Sequence, residues 1–138
     1  MLEGPHRYLR AYLAGLAFPT MFLAVLLSVF SGLAASGRVP WSASQVLIFP
    51  MAVVPNVWGL WNVIYALLAK RRRFNIGLFG ALLPFVLAPL GYATAKANGF
   101  EPQHSWGTLA VAFIVAVIVY YLIWRHLVKF LNESLDVD

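Results

Sequence analysis

The chain has 138 residues, of which 62% are hydrophobic and only 11% charged, with a net charge of +5, a mean hydropathy of +0.78 and no cysteine. Soluble domains carry about 25% charged residues, so this composition excludes a water-soluble globular fold; the missing cysteines exclude disulfides, thiolate chemistry and Cys-ligated metals. At about 20 residues per crossing, the length admits four spans with short loops and no separate soluble domain.

Four uncharged runs stand out, at residues 12–35, 46–69, 76–95 and 106–124. None contains Asp, Glu, Lys, Arg or His. With a rise of 1.5 Å per residue, each is long enough to cross a hydrocarbon core of about 30 Å. Transmembrane β-strands would show shorter segments with polar alternation, which is absent. The first run follows Arg7 and Arg10 but is too long for the apolar region of a secretory leader, about 7 to 15 residues, so it is expected to stay as a span. The predicted fold is all-α, a polytopic four-transmembrane-helix bundle with Pro-kinked second and third helices, in a single membrane domain covering residues 1–138.

Lys and Arg set the orientation. Arg7, Arg10, Lys70, Arg71, Arg72, Arg73, Arg125 and Lys129 fall on one side, and only Arg38 and Lys96 on the other. The positive-inside rule then places both termini in the cytoplasm of a cell membrane, the inner membrane where there are two. Trp41 and Trp106 fall at the outer edge, and Tyr8, Tyr12, Phe74, Tyr120, Tyr121 and Trp124 at the inner one, as amphipathic rings prefer. The Lys70 to Arg73 turn anchors this topology and is expected to contact anionic headgroups.

In the first span, Ala24, Ser28 and Gly32 recur every four residues, a small-residue seam that lets helix backbones approach in lipid. It suits packing between the two terminal spans, or assembly with another subunit. The second span is the most informative. Pro50 and Pro55 each remove a hydrogen bond and free the carbonyls of Val46 and Met51, in a solvent that cannot satisfy them. Asn56 and Asn62 add amides near the midplane, and Pro55, Trp58, Asn62 and Tyr65 share one helical face. The third span repeats the device with Pro84 and Pro89.

The candidate ligand site is therefore Asn56, Trp58, Trp61, Asn62 and Tyr65, held open by kinks at Pro50, Pro55, Pro84 and Pro89. Broken helices at mid-membrane are where transporters place their sites, and an amide and aromatic pocket suits a neutral or amphipathic solute. The favoured use of the same residues is packing, with the amides bonding a neighbouring helix. No intramembrane ionisable group offers a proton relay. No hydrolase, nucleotide or metal motif is present, and Glu101 with His104, split by Pro102, makes a poor metal site. No catalytic residue, cofactor or metal is expected. Membrane lipids, further copies of the chain or other membrane subunits are the expected partners, and nucleic acid is not. The leading expectation is a non-enzymatic accessory or assembly subunit or homo-oligomer. The alternatives are a small carrier or channel using the Asn and Trp site, and an enzyme acting on lipid.

Overall fold

The computed structural model describes residues 5–40, 48–69, 74–97, 99 and 105–137. All regular secondary structure among them is helical. Helix α1 runs Pro5–Ala35 and α2 Ile48–Ala69. The third rod is broken into α3, Ile76–Ala81, and α4, Leu83–Ala97. The fourth passes from α5, Trp106–Ile123, through a π-helical turn, Trp124–Val128, into α6, Lys129–Ser134. The protein is all-α with four helical rods. Three of them, His6–Ala35, Ile76–Ala97 and Trp106–Ser134, are long and apolar enough to cross a membrane, at 30, 22 and 29 residues. The second rod has its apolar stretch at Val53–Ala69.

The first, third and fourth rods outrun their apolar runs because a charged side chain ends a hydrocarbon span without ending a helix. Pro5 opens α1 at the position where a missing N–H costs nothing, and Arg7 and Arg10, both good helix formers, continue it. At its other end Gly37, with φ +73°, turns the chain left-handed. Its N–H donates to the Ala34 carbonyl at 3.0 Å, and that of Arg38 to the Leu33 carbonyl at 2.9 Å, the paired bonds of a Schellman stop. The end of α6 is built alike, with Asp136 in the left-handed position at φ +50° and the Val137 N–H reaching the Asn132 carbonyl at 2.9 Å.

Proline sets the break in the third rod. Pro84 has no N–H for the Gly80 carbonyl, and the backbone tightens to three-residue bonds: Leu82 N–H to Phe79 O at 3.3 Å and Phe85 N–H to Leu82 O at 3.1 Å. The helical backbone continues through Pro55 and Pro89, and through Pro19 of α1, which belongs to the same class of device. Hydroxyls inside the helices satisfy themselves locally: Thr20, Ser28 and Thr94 each donate to the carbonyl four residues earlier, at 2.7 to 2.9 Å.

Packing divides into two units, Met1–Val63 and Ile64–Asp138. In the first, α1 buries Ala11, Ala14, Gly15, Pro19 and Leu23, and α2 buries Pro55, Trp58, Gly59 and Asn62. In the second, α3 and α4 pack on α5, and α3 also on the π turn. Gly77 lies under Tyr121 and Arg125, and Gly80 under Trp124. A file of rings joins Tyr65 to Phe79 and Phe79 to Trp124, with centroids 5.6 and 6.3 Å apart, and Phe85 meets Phe113 edge-on at 4.9 Å. No residue of α5 is buried, although the helix is almost wholly apolar.

Candidate functional site

The face of α2 singled out by its residue spacing is buried: Pro55, Trp58, Asn62 and Tyr65 all lie inside. Trp61 is half-buried and Asn56 exposed. Two glycines bring α1 and α2 together in the first unit. A Cβ on Gly15 would stand 3.0 Å from the Gly59 Cα and 2.6 Å from the Trp58 carbonyl, so the backbones touch with no room for a methyl. This contact places the polar groups of the two helices opposite each other. The Asn62 side-chain amide donates to the Ala11 carbonyl at 2.7 Å, and the Tyr12 hydroxyl donates to the Asn56 side-chain oxygen. Phe18 lies over Trp58 with centroids 5.9 Å apart. The Asn62 bond is fully buried, where an amide that loses its partner is costly.

Each of the other positions has a definite place. Pro84 is buried at the start of α4, Pro50 is half-buried, and Pro89 is exposed. Ala24, Ser28 and Gly32 lie on an exposed face of α1, and nothing comes within 4 Å of a Cβ built on Gly32. Ser28 turns its hydroxyl back onto the Ala24 carbonyl at 2.9 Å, which leaves this strip low and chemically quiet. Lys70, Arg71, Arg72 and Arg73 lie outside the described residues, as do Trp41, Glu101 and His104.

Two features of the structure lie outside the residues singled out by spacing. The small-residue seam used between α1 and α2 is Ala11, Gly15 and Gly59; the four-residue step from Ala11 to Gly15 and on to Pro19 was its signal. The second is a cleft of about 540 Å³ in the second unit, lined by Tyr65, Phe74, Asn75, Ile76, Arg125, His126 and Lys129. These come from three places in the chain, and only the close spacing of Arg125, His126 and Lys129 hinted at it. Asn75 is committed to capping α3, its side-chain oxygen accepting from the Gly77 N–H at 2.9 Å. Arg125 is held by a 2.6 Å bond to the Tyr121 hydroxyl and sits 5.7 Å from the centre of that ring.

No protein family matches the chain, and comparison with curated proteins and with solved structures finds no match.

Proposed function

We propose that the chain is a four-span protein of the cytoplasmic membrane, with both termini cytoplasmic, that works without catalysis as an assembly or accessory subunit or as a homo-oligomer in contact with lipid. The observation that carries this reading is the use made of the amides of α2. Asn62 is bonded to α1 and Asn56 accepts from it, so both serve to hold helices together. The exposed Ala24, Ser28 and Gly32 strip of α1 and the unburied apolar α5 then supply surface for lipid and for further subunits. Bulk on the strip tests the assembly. Gly32→Leu and Ser28→Leu are expected to lower the cross-linked oligomer or complex yield several-fold in intact membranes while leaving thermal melting in detergent unchanged. Unaltered cross-linking in both variants contradicts this use of the strip.

A second reading, a carrier or channel for a neutral or amphipathic solute, draws on the exposure of Asn56 and the half-burial of Trp61. The two readings separate at the amides. If they hold helices, Asn62→Leu costs about 0.6 to 1.7 kcal/mol, the range of interhelical hydrogen bonds in membranes, and Asn56→Leu costs less because its bond is exposed. If they line a solute site, both substitutions abolish a solute-induced change in tryptophan fluorescence with melting little altered.

A further inference from the structure

We propose that the cleft beside the π turn is an anion site that seats a phosphate group, as carried by the headgroup of an anionic phospholipid. The inference deepens the membrane reading above and rests on it. Arg125, His126 and Lys129 line the cleft together, and no carboxylate is among the described residues that line it. Neighbours on an α-helix point about 100° apart. Here the backbone passes through the wider π turn, a local form that recurs at functional sites, and Arg125 and His126 face one space.

The side chains suit an oxyanion. Arg125 carries five N–H donors in a fork that matches phosphate geometry, and its bond to the Tyr121 hydroxyl steadies it while leaving other donors for a ligand. Gly77 keeps this arrangement close: a Cβ there would come within 3.1 Å of the Arg125 Cβ. Lys129 pairs with Glu133 at 3.7 Å across one helical turn, with both side chains more than half exposed. An exposed pair of this kind holds weakly, and an incoming phosphate competes with it. Tyr65, Phe74 and Ile76 add an apolar wall, so the cleft offers charge to a headgroup and hydrocarbon to the glycerol and upper acyl carbons. The cleft lies where α5 gives way to the basic segment, at the depth the charge pattern assigns to the cytoplasmic interface. In sequence Phe74 directly follows the four basic residues Lys70 to Arg73, which raise the local concentration of anions.

The test titrates the full-length protein in mild detergent with phosphatidylglycerol or phosphatidylcholine and counts retained lipid by native mass spectrometry. Phosphatidylglycerol is expected to bind at least about tenfold more tightly than phosphatidylcholine. Each basic residue near a surface is worth about fivefold, so Arg125→Gln with Lys129→Gln is expected to weaken the anionic lipid about 25-fold, and Lys129→Gln alone about fivefold. The charge-preserving pair Arg125→Lys and Lys129→Arg keeps most of the binding. Displacement of the lipid by millimolar inorganic phosphate assigns the site to the phosphate group alone; resistance to it assigns the site to the lipid as a whole, and either result supports the site. Unchanged retention in Lys129→Gln and in a helical double variant, or equal retention of both lipids, overturns it. A chain recovered in the aqueous phase without detergent overturns instead the membrane reading beneath it.

Discussion

Replacing Gly80 with alanine is expected to destabilise the second unit by about 3 kcal/mol or more, at the upper end of what one added methyl does in a packed core. The methyl would stand 2.1 Å from the Trp124 Cγ and 2.4 Å from its Cβ, far inside any contact real side chains make. Those atoms are the root of the indole and cannot swing aside. Trp124 is fully buried and opens the π turn, so relief requires shifting the turn itself. Thermal melting in mild detergent reads the loss, with a red-shifted, less ordered tryptophan signal. The same change at Gly91 is the control, because nothing lies within 4 Å of a Cβ there. Gly91→Ala is expected to fall within about 0.5 kcal/mol of the parent. In a Trp124→Ala background the Cγ contact is removed and the Cβ contact at 2.4 Å stays, so Gly80→Ala is expected to cost less than it does alone but still more than Gly91→Ala. A melting temperature for Gly80→Ala equal to that of Gly91→Ala contradicts the packing described.

The second large effect is expected at Gly15, where alanine should cost about 2 to 3 kcal/mol in the first unit. Two of the three atoms it meets are backbone, the Trp58 carbonyl at 2.6 Å and the Gly59 Cα at 3.0 Å, and the third is the Asn62 Cβ at 2.8 Å. None is the flexible tip of a side chain, so α1 and α2 must part. Parting them stretches the 2.7 Å bond from Asn62 to the Ala11 carbonyl, which adds the cost of a buried amide losing its partner. Gly32→Ala lies on the same helix with open space around it and is expected to be neutral, or mildly stabilising, because alanine favours the helix. The contrast between Gly15 and Gly32 isolates the contact from helix propensity.

The rods themselves were legible because hydrocarbon admits no charge: the gaps between charged residues gave four helices close to their true positions. Pro84 leaves a carbonyl without its donor where the third rod breaks, whereas the helical backbone continues through Pro55 and Pro89, where the same device was expected. The buried face of α2 was also readable, since Pro55, Trp58, Asn62 and Tyr65 differ in chemistry from their neighbours and their periodicity survives. Other features were hidden by the same physics that exposed the rods. In lipid the outside of a helix is as apolar as the inside, so hydrophobic periodicity loses its direction. Nothing in composition alone distinguishes the buried Ala11 and Gly15 from the exposed Ala24, Ser28 and Gly32. The π turn at Trp124–Val128 has no residue signature, and the cleft beside it joins Tyr65 to Lys129 across more than sixty residues. Pro19 was overlooked because a lone proline in a long apolar run leaves that run unbroken.

The account stands most directly on one measurement: native mass spectrometry of the chain extracted from its own membranes in mild detergent at natural abundance. The prediction is a defined assembly, either of several copies of this chain or of this chain with a stoichiometric membrane subunit, retaining anionic lipid. A stable monomer with no retained partner contradicts it.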